Sequence, residues 1–460
     1  MGVNEILVLL MFLTFICLLF TGAPIAFVLG GVAILFTLVG WFCDLYFGTW
    51  TGLNFNMLGL AADRMFNIVS NWVLVAIPMF VFMGLMLDRS GTAEDMMQSM
   101  QKLFGRVRGG LAVTVILIGI ILAASTGIIG ASVVLLALLS LPAMMHQGYS
   151  KSLASGTVAA SGTLGILIPP SIMLVIMADQ LSVSVGDLFM GAMIPGILLG
   201  CLYIGYVVIF GLFRPNDLPL PEDVQPVTWK VVVDVLKNIL PTATLIVLVL
   251  GSIFAGVASP TEASGVGAFG ATILAFYQRK LTVKVIKEVT EGTFRVIGFI
   301  FGIWVGATLF AMVVRLLGGD DVIEHLLTSL PLGPHGIILI VLFVVFLLGF
   351  FLDWIEITLI ILPLLAPVVS KLPLGIDGGG VLDNAALVWF AILVAMTLQT
   401  SFLTPPMGPA IFFIQGVNQD IDLLKIYRGV IPFVIFQLIA IVLLFLFPKL
   451  SIWLPIVVYG

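Results

Sequence analysis

Two short stretches of this 460-residue chain carry residue types at a spacing suited to holding a small cation. Residues 161–171 read SGTLGILIPPS and residues 397–408 read TLQTSFLTPPMG, each inside a long apolar run. In both, small hydroxyl residues lead into a proline pair, Pro169-Pro170 and Pro405-Pro406. Proline donates no backbone N–H and clashes with the preceding turn, so two in succession stop a helix. In a bilayer the freed backbone groups are costly, and such a break survives only when buried in protein or lining a cavity. Sodium is a hard ion that takes oxygen ligands. Unwound carbonyls together with Ser161, Gly162, Thr163, Thr400, Ser401 and Thr404 supply them. The same hydroxyls can instead bond back to their own helices. Half-helix N-termini at the breaks favour anionic groups such as a carboxylate. Paired breaks in matching positions of two halves predict an ion-coupled solute carrier.

Asp353 is the second candidate, set in the apolar run LLGFFLDWIEITLIILPLL. An isolated charge at the centre of a membrane helix costs about 3 kcal/mol on insertion scales. Ion coordination or proton coupling is its expected role, and Glu356 follows one turn later on the same helix face. The competing expectation is that this run is two segments meeting at an interface, leaving both carboxylates wet. Glu356, both proline pairs and the loosened segment Ser125-Thr126-Gly127 are the candidates for contact with the solute. Arg315 reads as a snorkelling anchor, and His146, His325 and His335 as solvated loop residues. Asp320, Asp321 and Glu324 imitate a metal cluster but sit in a Gly-Asp-Asp turn. No GxxxxGK[ST], HExxH or GxSxG occurs, which removes the usual ATP engine and the common protease and hydrolase signatures.

The elements that must position these residues are membrane helices. The chain is 61% hydrophobic and 9% charged, with a mean hydropathy of +1.25, where soluble proteins carry about 25% charged residues. It is therefore an all-α polytopic membrane protein, and no basic tract suggests nucleic acid. Cys17, Cys43 and Cys201 lie scattered in apolar runs and read as buried small apolar residues. The first apolar run lacks the charged n-region of a cleaved signal peptide and reads as a membrane helix. Residues 1–65 are expected to be N-terminal scaffold helices, 187–293 scaffold helices with a Pro-rich linker at 214–228, and 429–460 a C-terminal scaffold helix. Two transport repeats, 66–186 and 294–428, lie between them. Each is expected to hold a re-entrant hairpin (66–87; 294–317) and a discontinuous helix (152–178; 385–416).

Gly306 precedes Pro405 by the separation at which Ser70 precedes Pro169, and Pro195 and Pro432 follow the two pairs at nearly equal distance. One conflict remains in this reading. The positive-inside rule puts both 88–108 and 279–295 in the cytoplasm, whereas inverted repeats put the two expected hairpins on opposite faces.

Six segments in order, TGAPIAFVLGG, VLVAIPMFVFMG, SGTLGILIPPSIMLVI, ASPTEASGVGAFGA, LGFFLDWIEITLIILPLLAPVV and TPPMGPAIFF, resemble the large (M or DctM type) membrane subunit of tripartite ATP-independent periplasmic, or TRAP, transporters. The resemblance spans nearly the whole chain. It implies two inverted repeats in an elevator-type transport domain with a scaffold, in the bacterial inner membrane. It implies Na+-coupled uptake of a small carboxylate, with no other cofactor. A periplasmic solute-binding protein and a small four-helix membrane subunit, expected as a separate chain, are the implied partners. Ion-binding regions carried over from the family fall on Ser70-Asn71, Gly162-Thr163, Gly306-Ala307-Thr308 and Thr400-Ser401. LDWIEI resembles a branch linked to 2-oxo acids, mannitol or chloroaromatic acids. The alternatives from other classes are a membrane-embedded enzyme using Asp353 and Glu356 as acid and base, and a channel.

Overall fold

The computed structural model describes residues 2–104, 107–126, 129–220 and 228–460, apart from the side chains of Met57, Leu58 and residues 123–126; every regular element among them is a helix. The first half runs α1 (Val3–Leu19), α2 (Ile25–Phe47), α3 (Phe55–Ser70), a tight turn at Trp72–Val75, α4 (Ala76–Arg89), α5 (Thr92–Phe104), α6 (Gly110–Thr126), α7 (Ile129–His146), α8 (Lys151–Thr163), α9 (Ile172–Leu181) and α10 (Val185–Phe213). The second runs α11 (Trp229–Phe254), α12 (Pro260–Tyr277), α13 (Val283–Leu316), α14 (Gly319–Thr328), α15 (Pro334–Leu348), α16 (Trp354–Glu356), α17 (Leu362–Lys371), α18 (Ala385–Leu403), α19 (Pro409–Val417) and α20 (Leu423–Leu446), with α21 (Lys449–Tyr459) closing the chain. Nine helices among the described residues are long and apolar enough to cross a membrane. Phe27, Leu248 and Phe269 point outward, as side chains do when hydrocarbon is the solvent.

The order of elements occurs twice: two long helices, a third long helix, a short amphipathic one, a hairpin, a broken helix and a closing helix. Hydrogen bonds fix how the copies are related. Thr261 Oγ1 donates to the Trp72 carbonyl (3.0 Å) at one end of the α4–α12 pair. At the other end Thr92 Oγ1 donates to Gln278 Oε1 (3.1 Å), Lys280 Nζ donates to the Gly91 carbonyl (3.2 Å), and Lys280 pairs with Asp95. So α4 and α12 run parallel, and α13, leaving the end of α12, returns antiparallel to α4. The broken helices obey the same relation. Ser152, at the start of α8, donates to the Lys425 carbonyl at the start of α20 (2.8 Å). Trp389, at the start of α18, donates to the Leu444 carbonyl at its end (2.8 Å). The two broken helices therefore enter from opposite ends of α20, and the repeats are inverted.

This also removes the charge conflict. The basic stretches around α5 and the start of α13 lie side by side at one end, joined by Lys280 and Asp95. The conflict came from the wrong hairpins. Residues 294–317 form no hairpin: α13 is one helix of 34 residues. Gly306 there is not a hinge. A Cβ on it would lie 2.5 Å from the Ala26 carbonyl, so glycine lets α2 approach closely. Residues 66–87 are likewise an elbow between α3 and α4, with Pro78 in the first turn of α4, where its missing N–H breaks no helical bond. The hairpins are α6–α7 and α15–α17, the two runs too long for one straight span. The helices on either side of the two proline pairs span 151–181 and 385–417.

Cys17 and Cys201 face outward instead of inward, because the apolar exterior of such a fold accepts them equally well. The Lys280–Asp95 pair is partly exposed, so Lys280→Ala is expected to change stability by under about 1 kcal/mol. Thermal unfolding in detergent measures it.

Candidate functional site

The first break begins where α8 ends at Thr163. A tight turn over Leu164–Ile166 follows, and the Leu167 N–H donates to the Leu164 carbonyl (3.0 Å). Ser171 Oγ bridges the gap by donating to the Ile166 carbonyl (2.8 Å) before α9 starts. In the second half α18 ends at Leu403, the Gly408 N–H reaches the Thr404 carbonyl (3.0 Å), and α19 starts at Pro409. Both Pro-Pro peptide bonds are cis. α18 packs against α8 and against the turn at 164–166, so the broken helices meet inside the protein. α18 is buried at every position except Ala386.

Ser161, Gly162, Thr163, Thr400 and Ser401 are all buried. Each hydroxyl donates to its own helix: Ser161 to the Thr157 carbonyl (2.7 Å), Thr163 to Ala160 (2.9 Å), Thr400 to Met396 (2.8 Å), Ser401 to Leu398 (2.8 Å) and Thr404 to Thr400 (2.7 Å). A hydroxyl that donates its proton still has oxygen lone pairs for a cation, so back-bonding fixes orientation without spending the ligand.

Each hairpin presses on the hydroxyl cluster of its own half. A Cβ on Gly119 of α6 would lie 2.8 Å from Ser161 Cβ, and one on Gly162 would lie 2.7 Å from Val133 Cα of α7. Across the second half, a Cβ on Gly349, just after α15, would fall on Ser401 Oγ. Gly119 and Gly349 were not singled out from the sequence, since a glycine signals close approach only once its neighbour is known. The tip segment Ser125-Thr126-Gly127 falls outside the described residues, Gly127 entirely and the other two in their side chains.

Asp353 sits at the tip of the second hairpin and not in mid-span. It caps α16 through its Oδ1, which accepts from the Trp354 N–H (2.8 Å), and it is half-buried. The run is thus two segments meeting, but its carboxylates are not both wet. Glu356 is 0% exposed, and neither of its carboxylate oxygens has a hydrogen-bond partner among the described residues. The helix after it widens into a π turn at Ile357–Ile361, where Pro363 cannot donate to Leu359. Pro169 and Pro170 are buried, while Pro406 is exposed and its carbonyl accepts from Tyr427 Oη (3.1 Å).

The remaining expected ion ligands lie elsewhere. Ser70 is exposed at the elbow, and Asn71 Nδ2 donates to Asp179 Oδ1 (2.7 Å) at the end of α9, tying the elbow to the first broken helix. Gly306 and Ala307 are buried in α13, which packs against α2 and α4; Thr308 Oγ1 donates to the Trp304 carbonyl (2.8 Å). Their place among the expected ligands follows from the family resemblance and from the offset of Gly306 from Pro405, but α13 is unbroken there and frees no carbonyl.

Thr308 instead borders a cavity of about 310 Å³ between α3, α13, the end of α9 and α17. Arg64, Asn67, Gln180, Trp304 and Arg315 share its lining, and no carboxylate does among the described residues. Arg315 makes two further contacts. Its Nε lies 3.5 Å from Asp320 Oδ2, and its Nη2 donates to the Pro363 carbonyl (3.4 Å). Glu324 pairs with Lys371 (2.8 Å), so the apparent acidic cluster is divided between two cations. The helical spacing of Thr308 and Arg315 was a usable signal, but nothing local pointed to α3 as the opposite wall.

The described fold is similar to the crystal structure of the Alcanivorax borkumensis YdaH transporter, reported to have an unusual topology, with a TM-score of 0.57, 14% identity, and 83% of this chain and 85% of that one covered. The sequence is 28% identical to the C4-dicarboxylate TRAP transporter large permease protein DctM of Vibrio cholerae, over 98% of both chains. It is also 28% identical to the sialic acid TRAP transporter large permease protein SiaM of the same organism, over 95% of this chain and 96% of that one. The family model for the DctM component of tripartite ATP-independent periplasmic transporters matches residues 12–450. A chain with inverted repeats and nine candidate spans among its described residues, matched by that model almost end to end, belongs to the DctM component family of TRAP transporters: it is a multi-pass permease of the bacterial inner membrane and not an enzyme.

Proposed function

We propose that this chain is the translocating subunit of a Na+-coupled importer of a small carboxylate. The observation that carries the reading is the pair of oppositely directed broken helices, each with buried hydroxyls under the hairpin of its own half. Sodium held by those hydroxyls and by carbonyls at the breaks orders the two helix ends and the hairpin tips. Glu356 is buried and has no hydrogen-bond partner among the described residues; in a dry interior it stays neutral unless a cation compensates its charge, so it is open to a cationic co-substrate. The arginine-lined cavity supports an anionic solute. The broken helices and hairpins then move as one body against the long helices, in an elevator-type cycle. The tripartite family supports a small membrane subunit and a periplasmic solute-binding protein as partners, the latter delivering the solute.

The test is Thr163→Ala combined with Thr400→Ala in proteoliposomes with the partner subunits. Both hydroxyls bond only to their own helices, so the helices remain intact, while the sodium concentration for half-maximal uptake rises at least about tenfold, or roughly 1.4 kcal/mol of lost cation binding. Unchanged sodium dependence would count against the assignment.

A further inference from the structure

We propose that the hydrogen bond from Asn71 to Asp179 is a latch between the two bodies of the carrier, one that must open in every transport cycle. The inference rests on the elevator reading above and names the contact that restrains the movement. Asn71 belongs with the long helices: the carbonyl of the next residue, Trp72, accepts from Thr261 Oγ1 of α12 (3.0 Å). Asp179 lies in the last turn of α9, the second half of the first broken helix. The 2.7 Å bond between them thus crosses from one body to the other. Two more contacts reach the second hairpin from α14 and α13. Glu324 of α14 pairs with Lys371 of α17 at the exposed surface, where such pairs are worth little. Arg315 Nη2 meets the Pro363 carbonyl at 3.4 Å, a long bond.

The local geometry gives each group one place to go. Asn71 Oδ1 accepts from the Val73 N–H (3.1 Å), which fixes the amide and leaves Nδ2 to donate to α9. Asp179 Oδ1 accepts from Asn71 and Oδ2 from Gln180 Nε2 (2.9 Å), so each oxygen accepts from an amide, as an ionised carboxylate does. A carboxylate in the last turn of a helix meets the negative pole of the helix dipole, so α9 by itself gains nothing from Asp179. Asn71 supplies the compensation from outside the helix, and both side chains are half-buried, which limits their replacement by water. Displacing α9 takes the donor from Asp179 and the acceptor from Asn71 at once. Such a bond is strong enough to set the balance between two positions of the moving body, and weak enough to be broken in a cycle.

The experiment is double electron–electron resonance on the full chain in nanodiscs, with and without saturating sodium. Spin labels at Val257, exposed in the turn between α11 and α12, and at Asn384, exposed before α18, report the separation of the two bodies. The labelled chain carries Cys17→Ala, Cys43→Ala and Cys201→Ala. Asn71→Asp sets two carboxylates against each other, and Asn71→Ala removes the donor. Each is expected to raise the ratio of the displaced to the present position at least about tenfold. Adding Asp179→Asn to Asn71→Asp reverses donor and acceptor and keeps an oxygen for the Val73 N–H. That exchanged pair is expected to return the ratio to within about threefold of the unsubstituted chain. Should Asn71→Asp not assemble, Asn71→Ala carries the same expectation. If both positions are seen in the unsubstituted chain, and the Asn71 variants leave their ratio unchanged or the exchanged pair does not restore it, the latch is overturned and the elevator reading stands. If one separation persists in every sample, the bodies do not move past each other, and the elevator reading fails with the latch.

Discussion

Gly349→Val is expected to lower sodium-dependent uptake by at least about a hundredfold, equivalent to roughly 2.7 kcal/mol, with the chain still inserted in the membrane. Any Cβ at this position would fall on Ser401 Oγ, with Ser401 Cβ 2.9 Å and Leu398 Cδ2 3.4 Å away. α18 cannot give way, because it is buried at every position but Ala386, far from Ser401. The hairpin tip must lift instead, taking with it the Asp353 cap and the buried Glu356. Overpacking of this kind typically costs about 1–3 kcal/mol of stability, which a large membrane domain survives. A cation site assembled from two segments does not tolerate the same displacement, since its ligands must all lie at bonding distance. Gly302→Ala is the control: nothing lies within 4 Å of a Cβ there, and uptake should be unchanged. Uptake by Gly349→Val at the level of the unsubstituted chain would mean that the hairpin tip does not take part in the site.

Gly156→Leu is expected to have the largest effect on stability, at least about 3 kcal/mol, read as a fall in thermal unfolding temperature. Gly156 of α8 and Gly429 of α20 face each other so closely that a Cβ on either would run into backbone: the Gly429 carbonyl in one case, the Ser152 carbonyl in the other. The contact is flanked by Ser152 Oγ donating to the Lys425 carbonyl and Lys151 Nζ donating to the Asp420 carbonyl (3.1 Å). In hydrocarbon no hydrophobic drive holds helices together, so close backbone packing does most of the work. Ser152→Ala, which removes one hydrogen bond and keeps the packing, should cost only about 1 kcal/mol. A Gly156→Leu protein as stable as Ser152→Ala would show that α8 and α20 can separate freely.

Some of this was determined by the sequence alone. Composition placed the chain in a bilayer, and Pro169-Pro170 and Pro405-Pro406 located both helix breaks, because proline acts on its own backbone whatever surrounds it. The hydroxyls next to the breaks follow from neighbours in the chain; the two segments meeting at Asp353 were legible only as the competing expectation. Only the tertiary structure decided which runs are hairpins. Gly306 stands out in the sequence only by its offset from Pro405 until α2 is seen against it, and Gly349 carries no signal until Ser401 is seen beneath it. It also decided that Arg64 and Arg315, far apart in sequence, line one cavity, and that Lys280 meets Asp95, which brings the charge pattern into agreement with the inverted repeats. A break is a property of the local chain. A glycine contact or a shared cavity belongs to two segments at once, and neither segment alone records the other.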